Sequence, residues 1–188
     1  MVIAVSQVNR LDCNDALLVV VDVQGKLARM MADSESVIRQ VQILIQGCRI
    51  LELPIVWAEQ LPDKLGATLP QVAECLSGLQ PIAKSSFGCC GDADIYSAIR
   101  ASGRKQVILC GIEAHVCVWQ TAAVLLNDGY QVYLAADAVS SRAALNREIA
   151  FRRMVASGVH LTCVEMSLFE LMLDAKHPKF RDVTRLLK

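Results

Sequence analysis

The stretch ALLVVVDVQ, residues 16–24, is an unbroken aliphatic run that ends in a carboxylate and an amide. A strand with one wet face alternates apolar and polar residues. A strand covered on both faces has no reason to alternate, and it reads as this one does. The run is far shorter than the ~20 residues a membrane helix requires, so it predicts an interior strand of a sheet packed on both sides. Working outward, Val37, Val41, Leu44, Cys48 and Leu51 recur at helical spacing, with Asp33 or Ser34 available as a cap. LPIVWAE (53–59) reads as a second strand, opened by Pro54. Residues 61–80, with Pro62, Gly66, Pro70 and Gly78, read as an irregular excursion holding a short helix, and PIAKSSF (81–87) as a short strand running into a loop. A helix over 92–102 stops at Gly103, KQVILCGI (105–112) is a buried strand, and a helix over 115–127 ends near Gly129. YQVYLAAD (130–137) is a further strand, residues 145–157 form a helix stopped by Gly158, and VHLTCVE (159–165) is the last strand before two helical stretches. This alternation predicts an α/β fold in which a parallel sheet carries helices on both faces, as one domain over residues 1–188.

Composition limits what such a domain does. Apolar residues make up 54% of the chain and aromatic ones only 5%, so the surplus is aliphatic. Lysine plus arginine number 19 and aspartate plus glutamate 19, which leaves no electrostatic case for nucleic acid or an anionic membrane. The chain opens without a basic segment followed by an apolar core, so a soluble, cytoplasmic protein is expected. The eight cysteines (13, 48, 75, 89, 90, 110, 117, 163) are scattered and read as small buried hydrophobes rather than a disulfide framework. Cys89 and Cys90 adjoin, but without the C-x-x-C spacing of a zinc or redox site. The apolar segment CVEMSLFELML (163–173) exceeds what a small domain easily buries and predicts a homo-oligomer, a dimer or larger.

In open parallel sheets, ligands bind beyond the carboxyl ends of the strands. Those ends carry Asp22 and Gln24, then Trp57 and Glu59, then Lys84, then the segment from Glu113 to Cys117. Each has an ordinary structural reading: Asp22 as a cap, Lys84 as a solvated loop residue, Cys117 as a buried filler. Together they form a chemical set. A helix start and a neighbouring ammonium lower a thiol's pKa from about 8.5 toward neutrality, which predicts a Cys117 hypersensitive to alkylation. Asp22 can take the thiol proton and return it to a leaving group. Free backbone N–H groups at the strand-to-helix turn can hold a developing oxyanion. Gln24 is a candidate to bind a polar group of the substrate, and Trp57 and Phe87 to wall the pocket.

DVQ (22–24), AKSSF (83–87) and GIEAHVCVWQTA (111–122), in this order and spacing, resemble the isochorismatase-like cysteine hydrolase superfamily. ADAVSSR (136–142) and ELMLDAKHPKF (170–180) resemble its branch of uncharacterised isochorismatase-domain proteins. The resemblance implies a six-stranded parallel Rossmann-like sheet and a catalytic triad of Asp22, Lys84 and Cys117. It also implies an oxyanion hole from the backbone N–H groups of Glu113 and Cys117, and a cis peptide bond between Ile112 and Glu113. Nicotinamidase-like members carry a metal on an Asp-x-His pattern after the second strand, where this chain reads WAEQLPDKLG (57–66) without a histidine. No metal and no cofactor are therefore expected. True isochorismatases do without the cysteine. The reading that remains is hydrolysis of an amide or N-carbamoyl C–N bond in a small molecule through a thioester. The competing class is a hydrolase-like scaffold or interaction protein whose triad is little used.

Overall fold

The computed structural model describes residues 10–188, so the expectation about how the chain opens falls largely on residues outside the described ones. Six parallel strands form one sheet: β1 (Ala16–Val21), β2 (Ile55–Gln60), β3 (Ile82–Lys84), β4 (Gln106–Ile112), β5 (Gln131–Ser140) and β6 (His160–Thr162). Their order is β3-β2-β1-β4-β5-β6. The chain begins in the middle, builds outward through β2 and β3, then returns to build β4 to β6 on the other side. The crevice this reversal opens lies beyond the ends of β1 and β4.

β1 is buried along its whole length, and its alternate residues feed two cores. Leu18 and Val20, with Ile108 and Cys110 of β4, pack under α2 (Ser34–Ile50) and α8 (Val164–Met172). Leu17, Val19 and Val21 pack on the opposite face under α5 (Ala93–Ala101), α6 (Trp119–Asn127) and α7 (Ala144–Ala156). Shorter helices, α1 (Gly25–Arg29), α3 (Pro62–Leu65) and α4 (Pro70–Cys75), fill the excursion after β1 and β2, and α9 (Phe180–Leu186) ends the chain. The α/β architecture with helices on both faces is the one expected.

Three local differences matter for the site. β5 does not stop at Asp137 but runs to Ser140: Leu109 pairs with Leu134 while Gly111 pairs with Val139, so β5 bulges between. The bulge carries Ser141 and Arg142 to the end of β4. Asp137 sits in the bulge, where its carboxylate accepts the N–H of Val164 at 2.9 Å and fixes the start of α8; β6 is correspondingly shorter than the predicted 159–165. Second, the chain does not leave β4 directly into an α-helix. Ala114–Val118 form a π-helical turn, and α6 begins only at Trp119. Third, β1 and β4 approach so closely that a Cβ on Gly111, whose φ is +113°, would lie 2.0 Å from the carbonyl oxygen of Val21. Only glycine permits that approach.

The 163–173 segment mostly serves the core, contrary to its expected role as an interface. Val164, Leu168, Leu171 and Met172 are buried, leaving Met166, Phe169 and Leu173 exposed.

Candidate active site

β1 ends at the edge of the crevice, and the chain turns at Asp22 with φ +52°, a left-handed conformation that aspartate tolerates better than most residues. The turn buries the Asp22 side chain. Lys84, the last residue of β3, reaches it from two strands away, with Nζ 2.7 Å from Asp22 Oδ2. The lysine is equally buried, and Nζ also donates to Gln60 Oε1 at 2.6 Å, Phe87 O at 2.9 Å and Ser86 O at 3.2 Å. Four acceptors thus surround a group with three N–H donors. The carboxylate is treated asymmetrically: Oδ2 is held by Lys84, whereas buried Oδ1 has no hydrogen-bond partner among the described residues. Burial raises the Asp22 pKa, against the lowering pull of the Lys84 charge and hydrogen bond, of the adjacent Cys117 thiol and of the Gln60 backbone. Oδ1 is thus the carboxylate oxygen that Lys84 leaves unclaimed.

Cys117 lies in the π-helical turn and is buried. Its thiol is pushed up to about 12, first by burial and next by the Asp22 charge, with Lys84 pulling the other way. This corrects the expectation of a lowered thiol pKa. The ammonium does not face the thiol alone; a carboxylate stands with it, and the cysteine precedes the first turn of α6 instead of capping it. Cys117 therefore rests as a protonated thiol beside a carboxylate. The Thr121 hydroxyl donates to the Cys117 carbonyl at 2.7 Å and accepts the N–H of Cys89 at 2.9 Å, which ties the turn to the loop after β3.

The Ile112–Glu113 peptide is cis, as the resemblance implied. The Glu113 carboxylate accepts from Arg142 Nε at 2.9 Å and from its backbone N–H at 3.2 Å, and the Glu113 carbonyl accepts the N–H groups of Val116 and Val118. His115 Nδ1 is 2.9 Å from Ser141 Oγ, and its Nε2 faces the Asn146 amide at 3.4 Å. The turn holding the thiol is thus anchored on the β5 extension.

Two of the three candidate substrate contacts fail on geometry. Gln24 is fully buried and its amide is consumed by backbone: Oε1 accepts the N–H of Gln60 at 2.6 Å, while Nε2 donates to Gln60 O and to Gly66 O. Trp57 points to the opposite face of the sheet from Cys117 and donates to Thr68 Oγ1 at 2.8 Å. Both brace the 61–69 loop. Phe87 stands 58% exposed, and its carbonyl binds Lys84, so it is placed at the rim. The sequence reading missed Gln60 and Arg142. A strand boundary drawn one residue later would have found Gln60, and Arg142 closes the ADAVSSR motif. Among the described residues, no three of His, Cys, Asp and Glu are grouped to hold a metal ion. No helix among them is long and apolar enough to cross a membrane.

Residues 16–166 match the isochorismatase domain model. Isochorismatase domain-containing protein 2 of Danio rerio is 39% identical over 96% of this chain and 90% of its own length. Among solved structures, that of MAR1 ribonuclease from Caenorhabditis elegans superposes with a TM-score of 0.90 at 37% identity, covering 95% of this chain and 92% of that one. YcaC from Pseudomonas aeruginosa, solved with hexane-2,5-diol and covalent acrylamide, has a TM-score of 0.90 at 26% identity over 95% and 92%. The chain belongs to the isochorismatase family of hydrolases.

Proposed function

We propose that this protein hydrolyses an amide or N-carbamoyl C–N bond of a small molecule, with Cys117 as nucleophile, Asp22 as proton carrier and Lys84 as the group that orients Asp22. One observation carries the reading: the buried Asp22 carboxylate has one oxygen locked by Lys84 and the other unpartnered beside the thiol. A carboxylate with a raised pKa is a better base than an exposed one. On attack, the Cys117 Sγ–H proton passes to Asp22 Oδ1 as sulfur bonds to the carbonyl carbon. The oxyanion that forms is held by the backbone N–H groups of Glu113 and Cys117. Collapse breaks the C–N bond, the amine leaves with the proton from Asp22, and a thioester remains on Cys117. Water then attacks the thioester, gives its proton to Asp22, and expels the sulfur, which recovers that proton as the acid product leaves. No metal or cofactor enters the cycle.

Four further points belong to this reading. Acrylamide bonds to nucleophiles, so the covalent adduct in the YcaC structure fits a reactive side chain in this fold. "Ribonuclease" is the name of the C. elegans protein; here the buried cation of the site, Lys84, is engaged by Asp22, Gln60 and Phe87 rather than free for a phosphodiester, and the charge of the chain is balanced, so a small neutral amide fits better. A homo-oligomer fits the apolar groove of about 1040 Å³ between α7 and β6, where Leu145, Val155 and Leu161 are exposed, together with the exposed Met166, Phe169 and Leu173. All eight cysteines are free, as in a reducing, cytosolic setting. The test is a screen of amides and N-carbamoyl compounds, with RNA as a further arm, against the native protein, Cys117→Ala and Asp22→Asn. Turnover of a C–N substrate by the native protein alone is expected. Turnover that survives in Cys117→Ala, or cleavage of RNA only, would overturn the proposal.

A further inference from the structure

Gln60 is a buried amide that the mechanism above does not use, yet every one of its polar atoms is directed. It is the last residue of β2 and sits in register with Lys84, the last residue of β3. Its Oε1 accepts from Lys84 Nζ at 2.6 Å, and its Nε2 donates to Ser85 O at 2.8 Å. A flipped amide would set N–H against Nζ and oxygen against a carbonyl, so only this orientation satisfies the site. Its backbone is held just as firmly, because the N–H and C=O of Gln60 are both bound by the Gln24 side chain. Gln24 in turn is 0% exposed and is pinned to Gly66 O at 2.6 Å.

The consequence follows from counting hydrogens on Lys84. The three closest acceptors are Gln60 Oε1, Asp22 Oδ2 and Phe87 O, enough for the three N–H bonds of an ammonium. If Gln60 withdrew its oxygen, the lysine N–H it holds would turn to one of two acceptors: Ser86 O, already 3.2 Å from Nζ, or Asp22, whose charge makes it the stronger acceptor of the two. The unsatisfied acceptor at hand is Asp22 Oδ1. A lysine that took both oxygens of Asp22 would occupy the atom that receives the thiol proton.

We propose that Gln60, braced by Gln24, is a positioning residue: it holds one Lys84 N–H away from Asp22 and so keeps Asp22 Oδ1 free for Cys117. The inference rests on the Cys117 hydrolase reading and adds to it a residue that touches neither substrate nor thiol. It predicts opposite shifts for two substitutions. In Gln60→Met the released N–H turns to Asp22, the carboxylate becomes a weaker base, and its protonation moves to lower pH. In Gln60→Glu a second carboxylate competes for Lys84, Asp22 loses part of its counter-charge, and its protonation moves to higher pH.

The experiment needs no substrate. Native protein and the two variants are exposed to acrylamide across pH 4–9, and modification of Cys117 is followed by peptide mass spectrometry, with circular dichroism to confirm folding. Gln60→Met is expected to label about 10-fold more slowly at pH 7, with its acid limb below the native one. Gln60→Glu is expected to raise the acid limb by about one pH unit, the scale on which a neighbouring like charge acts. If Gln60→Met does not fold, the near-isosteric Gln60→Glu still decides the sign. Native rates and an unmoved acid limb in every folded variant would overturn the role of Gln60 while leaving Cys117 in place as nucleophile. Native Cys117 labelling no faster than that of the other cysteines would overturn the hydrolase reading, and this inference with it.

Discussion

Two ion pairs flank the crevice. Asp22–Lys84 is sealed from water, whereas in Glu113–Arg142 the carboxylate is buried and the guanidinium is 56% exposed. In the first, the cation is saturated and the carboxylate keeps one oxygen without a partner. In the second, one carboxylate oxygen takes both the backbone N–H and Nε of a single arginine. The difference is the one the proposed mechanism requires: a proton carrier needs an idle lone pair, and an anchor needs none. It also locates the low-dielectric part of the site, since burial raises Asp22 and Cys117 together.

The largest expected effect falls on the sealed pair and its thiol. Cys117→Ala and Asp22→Asn should each lower turnover by at least about 10³-fold, because nucleophile and base act as a unit and losing either removes most of the covalent contribution. Circular dichroism should show an unchanged fold. A comparable loss in Arg142→Ala would erase the distinction between the pairs.

Next in size, Lys84→Met leaves the Asp22 carboxylate buried without its counter-charge. Breaking a buried pair in this way typically costs about 3–5 kcal/mol, read from the urea unfolding midpoint at neutral pH. Removing the exposed Arg142 should scarcely move that midpoint. Equal shifts in the two variants would show that the buried pair is no more structural than the exposed one.

The pH dependence sharpens the same contrast. Asp22 must be ionised to accept a proton and its pKa is raised by burial, so kcat/KM should fall as pH drops through a value above the ordinary carboxylate range of about 4. The thiol titrates only near 12, so no gain in rate is expected from the thiol between neutrality and pH 9. An alkaline rise centred near 8.5 would show an unperturbed thiol. The smallest expected effect is that of a chelator, which should leave the rate unchanged; loss of activity restored by zinc would contradict a mechanism built on side chains alone.

Much of this arrangement is legible in the sequence because branched aliphatic runs such as ALLVVVDVQ and KQVILCGI can be little else than strands covered on both faces. The alternation then places Asp22, Lys84 and Cys117 at strand ends. What the sequence leaves open is register. That Gln60 stands opposite Lys84, or that a bulge in β5 delivers Arg142 to Glu113, depends on how neighbouring strands align. Side-chain direction is open for the same reason: Trp57 is the third residue of β2 and faces the core opposite Cys117. The thiol's environment is open too: Lys84 and a helix start are visible in the sequence, but burial, the largest influence on Cys117, is not.

The central claim is that Cys117 becomes acylated with Asp22 as its base. Brief exposure to p-nitrophenyl acetate, an activated acyl donor, followed by acid quench and peptide mass spectrometry, tests it without knowledge of the natural substrate. The account predicts one acetyl group, on Cys117, that decays on dilution in the native protein, is absent from Cys117→Ala, and forms at least about 100-fold more slowly in Asp22→Asn. Acetylation elsewhere, or on Cys117 at an unchanged rate in Asp22→Asn, would contradict it.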